Sequence, residues 1–168
     1  MAVMMDAITT GIFQVPANNS GGQNDVINIL LENPSSKKLT AYLLIEYSTI
    51  IDYGVNSPVT PLDPFKITVD AHSTRIHGLS AAFPGSLTDS LYRFLFWGDI
   101  DLQEDEEKLS VTILAGTYST PPSPSPSPKL SFGDASVLFR HENFVKARIQ
   151  KKEKSEALQC NSITVLKI

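Results

Sequence analysis

DVINILLEN (Asp25–Asn33), PSSKK (Pro34–Lys38) and LTAYLLIEYST (Leu39–Thr49) follow one another without interruption. They form two apolar runs rich in β-branched and aromatic residues, separated by a polar segment entered through Asn33 and Pro34. In the second run Leu39, Ala41, Leu43, Ile45 and Tyr47 share one parity, while Thr40, Tyr42, Glu46 and Ser48 take the other, with Leu44 the exception. One face of this strand is expected to be buried. In the first run Ile27, Ile29 and Leu31 alternate with Asn28 and Glu32, but Val26 and Leu30 interrupt the polar face, which points to a central strand covered on both sides. A helix is the competing reading, because Leu and Ala are good helix formers; Pro34 and the Val, Ile, Thr and Tyr content favour strands. The two runs read as a hairpin that nucleates a sheet.

Working outward, Ile8–Val15 is expected as a first strand, ended by Pro16 and the polar segment up to Asn24. Residues 50–63, with Gly54, Pro58 and Pro61, read as a long link from one sheet of a sandwich to the other. Phe65, Ile67, Val69 and Ala71 alternate with Lys66, Thr68, Asp70 and His72, and after a turn near Asp70–Ser73 the alternation resumes to Leu79. SLYRFLFWGDID (Ser90–Asp101) holds the densest aromatic run, with Tyr92, Phe94 and Phe96 on one face and Leu91, Leu95 and Trp97 on the other, so it too is expected to be covered on both sides. With LSVTILAGTYS (Leu109–Ser119) it reads as a second hairpin. A Pro/Ser-rich exposed loop is expected over residues 119–130 and a charged loop or short helix over residues 151–158. Strands are expected on either side of the latter, ending with Ile163–Ile168.

Eight or nine short strands punctuated by Pro and Gly, with no long amphipathic helix, predict an all-β chain forming one antiparallel β-sandwich domain over residues 1–168, with a barrel as the alternative. The length of 168 residues suffices for one domain with a real core. The apolar strand, Asn33-Pro34 turn, apolar strand and PFKITVDAHSTRIHGL pattern resembles bacterial immunoglobulin-like and fibronectin type III-like modules. With a late ASVLFRHENFV strand it also resembles small uncharacterised sandwich proteins of spore-forming bacteria. The resemblance spans Asp25 to Val145 and implies an immunoglobulin-like fold rather than an activity. It also implies a bacterial surface or spore-layer setting, with the chain made in the cytoplasm and deposited from there.

Lys and Arg total 14 against 18 Asp and Glu, so no basic footprint for nucleic acid is expected. No apolar run approaches the roughly 18 residues of a membrane span, and the first residues lack a signal-peptide pattern, so no membrane insertion is expected. Cys160 stands alone, which excludes an intrachain disulfide or a cysteine-based zinc site. His72, His77 and His141 show no zinc-ligand spacing and read as surface or packing residues. No nucleophile elbow, P-loop, dinucleotide fingerprint or kinase signature occurs, so no enzyme and no cofactor are expected.

Three features could carry binding. Asp99, Asp101, Glu104 and Asp105 supply the carboxylates that calcium prefers, although their spacing fits no EF-hand and a solvated acidic turn is the plainer reading. Trp97 and Tyr42 are candidate stacking platforms for a carbohydrate, against the plainer reading of strand packing. Pro121–Pro124 contains PxxP, and Ser123, Ser125 and Ser127 precede prolines, against the plainer reading of a spacer. The leading expectation is a non-catalytic structural or protein-interaction module that meets protein partners, or itself, through edge strands, the two terminal strands being the candidates. The alternative is a carbohydrate- or other ligand-binding sandwich.

Overall fold

The computed structural model of the chain describes residues 2–16, 24, 26–49, 59–80, 87, 90–102, 107–119, 129–130, 136–152 and 165–166. In chain order the strands are β1 (Ala2–Thr9), β2 (Phe13–Gln14), β3 (Val26–Asn33), β4 (Leu39–Thr49), β5 (Thr60–Pro61), β6 (Phe65–Val69) and β7 (Ser73–Ser80). They continue with β8 (Ser90–Gly98), β9 (Ser110–Gly116), β10 (Tyr118–Ser119), β11 (Lys129–Leu130), β12 (Ser136–Phe139), β13 (Val145–Lys152) and β14 (Val165–Leu166). A 3-10 turn, His141–Asn143, precedes β13.

Two antiparallel sheets result. The larger runs β14-β13-β1-β8-β4-β5, with β2 also paired to β8 and β6 to β4; the smaller runs β12-β9-β3-β7; β10 and β11 form a separate two-stranded ribbon. The all-β sandwich expected from the alternation is therefore present. Ile27, Ile29 and Leu31 of β3, Val111 and Ile113 of β9 and Leu79 of β7 pack in one buried cluster with Ile8, Leu43, Ile45, Ile67, Val69, Phe94 and Phe96 of the larger sheet. Period-two alternation places these side chains on the inner faces, and burying them is the main favourable term for the fold. Phe13, Phe94 and Phe139 meet edge to face, at 5.4 Å between Phe13 and Phe94 and 4.8 Å between Phe13 and Phe139, and close one side of the sandwich.

Several expectations are corrected by the connectivity. β3 and β4 are not a hairpin: β3 pairs with β7 and β9, β4 with β8, β5 and β6, so the Pro34–Lys38 turn passes from one sheet to the other. Likewise β8 and β9 lie in opposite sheets, while β4 and β6, on either side of the supposed inter-sheet link, share one, to which β5 within the link also belongs. An apolar run, a turn and a second apolar run suit an arch as well as a hairpin, since either buries one face of each strand. The N-terminal strand is Ala2–Thr9 rather than Ile8–Val15, and it is interior, flanked by β13 and β8. Its eight residues all pair with β13, from Ala2↔Lys152 to Thr9↔Val145. Lys151 and Lys152, expected in a charged loop or helix, thus continue β13; residues 153–158 lie outside the described residues. Ser119, Lys129 and Leu130 of the expected Pro/Ser loop belong to the β10–β11 ribbon, and residues 120–128 lie outside the described residues.

Part of the outward face of the larger sheet is buried as well. Ala7, Leu44, Leu95, Ala147 and Ile149 form a second apolar cluster, with Met5 and Trp97 against it, and Leu95 is 0 % exposed. The odd residues of β8 that interrupt a polar face in sequence thus have a packing role there.

Candidate interaction surface

The end of the sandwich that carries the sheet-to-sheet turns is held by Asn33. Its buried side chain donates to the carbonyls of Lys37 (2.7 Å), Val69 (3.2 Å) and Asp70 (3.0 Å) and accepts from the Ser35 N–H (3.0 Å) and hydroxyl (2.8 Å). His72, in the left-handed region at φ 49°, donates its N–H to the Ser35 carbonyl (3.1 Å). The β3–β4 and β6–β7 turns are thereby tied together, which sets where β7 begins. Lys38 Nζ lies 2.7 Å from Asp70 Oδ1, and that hydrogen bond and charge lower the Asp70 pKa from its ordinary 3.8, with desolvation opposing them and the Arg75 charge adding a smaller push in the same direction.

β7 leaves this end and pairs with β3 over eight consecutive residues, Asn33↔Ser73 to Val26↔Ser80, with no register shift. It is the last strand of its sheet among the described residues. Leu79 enters the core and His77 lies half-buried with its ring 5.0 Å from that of Phe65, so the odd positions face inward and Thr74, Ile76 and Gly78 outward. Ser73, Thr74, Arg75, Ile76 and Gly78 are exposed, Ile76 at 62 %. Arg75 Nη1 donates to the Thr68 carbonyl of β6 (3.1 Å). Burial and then the Arg75 charge lower the His77 pKa from 6.5.

The other predicted residues fall elsewhere. Tyr42 and Trp97 are cross-strand neighbours on the outward face of the larger sheet, partly exposed, with rings stacked at 5.6 Å and 13°. Each therefore gives one ring face to the other. Beyond them on the same face, Glu46 and Arg93 sit directly opposite and form an ion pair with both Nε and Nη2 of Arg93 on Oε2 of Glu46.

Asp99 and Asp101 serve different partners. Asp99 Oδ2 accepts from the Thr40 N–H (2.9 Å) and Oδ1 lies 3.5 Å from Lys108 Nζ. The Asp99 N–H in turn donates to the Thr40 carbonyl (2.9 Å), so this carboxylate closes the corner after β8. Asp101 Oδ2 lies 3.3 Å from His141 Nε2, and His141 Nδ1 accepts from the Val111 N–H (3.1 Å), an arrangement that leaves the neutral ring its proton on Nε2. Glu104 and Asp105 lie outside the described residues. The three histidines are spread over the β6–β7 turn, β7 and the turn before β13, and among the described residues no three His, Cys, Asp or Glu side chains gather as a metal would require. No helix among the described residues is long and apolar enough to cross a membrane.

The edge of β7 is what sequence reasoning missed. The alternation located the strand, but pairing status depends on which distant strands reach it. No family model and no curated protein matches the chain. Among solved structures it is similar to that described as Crystal Structure of Thermotoga maritima 1070, at 9 % sequence identity and a TM-score of 0.39, over 82 % of this chain and 96 % of that chain.

Proposed function

We propose that this protein is a non-catalytic structural or interaction module that meets other chains by strand addition at a sheet edge. The carrying observation is β7: eight residues in unbroken register with β3, exposed from Ser73 to Ile76, with no strand on its far side among the described residues. An edge of this kind offers a row of N–H and C=O groups to an incoming strand. The same reading takes the sandwich as immunoglobulin-like, in keeping with the sequence pattern from Asp25 to Val145, and sets the module in a bacterial surface or spore layer. Cross-linking in the producing cells followed by size separation tests it. The chain is expected in an assembly larger than its own 18.4 kDa, and recovery at that mass alone would overturn the reading.

A second reading, carbohydrate binding, draws on the Tyr42–Trp97 stack, a partly exposed aromatic pair on the outward face of the larger sheet. Sugars pack on such rings. Selective binding on a glycan array that is abolished by Trp97→Ala, with the fold retained, would favour it over strand addition.

A further inference from the structure

Sheet edges invite pairing with other chains, and proteins usually blunt them with short strands, bulges, prolines or charge. Among the described residues three of the four edges of this sandwich are blunted in that way. β12 has four residues and a register break between Val137 and Phe139. β14 has two residues. The edge beyond β4 is divided between β5, which contains Pro61, and β6, which follows Pro64. β7 has none of these devices: it contains no proline, lysine or carboxylate, and its one permanent charge, Arg75, turns back to the Thr68 carbonyl.

We propose that β7 pairs antiparallel with β7 of a second copy of this chain, about a two-fold axis at Ile76, joining the two four-stranded sheets into one. The proposal rests on the reading above that the protein works through a sheet edge, and it names the edge and the partner. Alternate residues of an edge strand direct both N–H and C=O outward, so the edge can give and receive a ladder with its own copy. A two-fold axis normal to the sheet sets residues of the same face opposite one another. Centred on Ile76, it brings Ile76 against Ile76 of the copy, Thr74 against Gly78 and Arg75 against His77.

Each pair suits a self-complementary edge. Ile76, exposed at 62 % in the middle of the outward face, is covered by its own equivalent. Gly78 leaves room for the Thr74 side chain. A centre at Arg75 would oppose two guanidinium groups, and a centre at His77 would leave Ile76 facing glycine. A foreign strand selected by charge would find only the engaged guanidinium of Arg75 to read, whereas a second β7 needs no charge complement.

Sedimentation of the full chain from roughly 1 to 100 µM tests this, with Ile76→Lys and Ile76→Glu measured separately and as an equimolar mixture, and folding checked by circular dichroism. The wild type is expected to dimerise. Each variant alone should weaken the dimer at least tenfold, because like charges face across the axis, and the mixture should restore it through opposite charges. A folded wild type that stays monomeric throughout would overturn the proposal. So would a dimer indifferent to both substitutions, or a mixture no tighter than its components. A monomer in solution that still occurs in a larger assembly in cells would remove the self-pairing and leave the interaction module standing.

Discussion

The side-chain amide of Asn33 donates to the carbonyl of Asp70 across 37 positions of sequence, at 3.0 Å, and so ties the turn between β3 and β4 to the turn between β6 and β7. Both turns change sheets, and neither has a ladder of its own to satisfy its backbone. Removing the amide takes a donor from the carbonyls of Lys37, Val69 and Asp70, the contact with Val69 being fully buried, at a cost of about 1–3 kcal/mol in Asn33→Ala. Asn33→Asp should be worse at neutral pH, since it aims a carboxylate at the carbonyls of Lys37, Val69 and Asp70, and should recover in part on acidification. Urea denaturation of the two variants at neutral and acidic pH gives the order. An Asn33→Asp variant as stable as wild type would contradict this role.

Gly98 closes β8 at φ +102°, and a Cβ there would stand 2.7 Å from the Thr40 carbonyl, backbone that cannot swing aside. Gly98→Ala combines that clash with a strained φ and is expected to cost about 2 kcal/mol or more. Gly11→Ala is a suitable control, because Gly11 has a positive φ of 71° but no atom within 4 Å of the added Cβ. Thermal melts should place Gly98→Ala clearly below Gly11→Ala.

His77 gives a pH signature with a definite sign. Its folded pKa is lowered from 6.5 by burial and by Arg75, so below pH 6.5 the unfolded chain takes up a proton before the folded one does. Stability from this residue is therefore present above 6.5 and falls as pH drops towards the folded value. Denaturation curves from about pH 7 to about pH 5 should show a shallower loss in His77→Gln than in wild type. An identical slope would show that other groups carry the dependence.

Leu95 tests whether the outward face of the larger sheet is a second core. Its burial with Ala7, Leu44, Ala147 and Ile149 predicts that Leu95→Ala costs about 2–4 kcal/mol, in the range of an ordinary core leucine. Leu95→Lys should be worse still. A surface position would tolerate either within about 0.5 kcal/mol, so chemical denaturation separates the two outcomes.

Much of the candidate surface could be anticipated from residues alone, but not what those residues do. Alternation from Thr74 to Leu79 placed a strand, yet nothing local marks Ile76 as its outward residue or that strand as an unpaired edge. Tyr42 and Trp97 were recognisable as outward aromatics, yet their facing one another depends on the β4–β8 register. Asp99 and Asp101 sit two residues apart, and the structure sends one to the Thr40 N–H and the other towards His141, residues remote from both in the chain.

Sequence by itself determined which segments are extended and which of their faces are apolar, because a strand repeats every two residues and the pattern of Leu39 to Tyr47 or Tyr92 to Phe96 can be read without knowing a single neighbour. Tertiary structure alone decided the partners. Whether Leu39–Thr49 folds back onto Val26–Asn33 or crosses to the opposite sheet depends on where Ser90–Gly98 and Phe65–Val69 arrive to pair with it, and on a side chain, Asn33, that satisfies the arch between them. In the same way Ala2–Thr9 became interior only because Val145–Lys152 returns from the far end of the chain to lie beside it. Hydrogen-bond ladders are nearly blind to side-chain identity, so the choice among them falls to the packing of the whole.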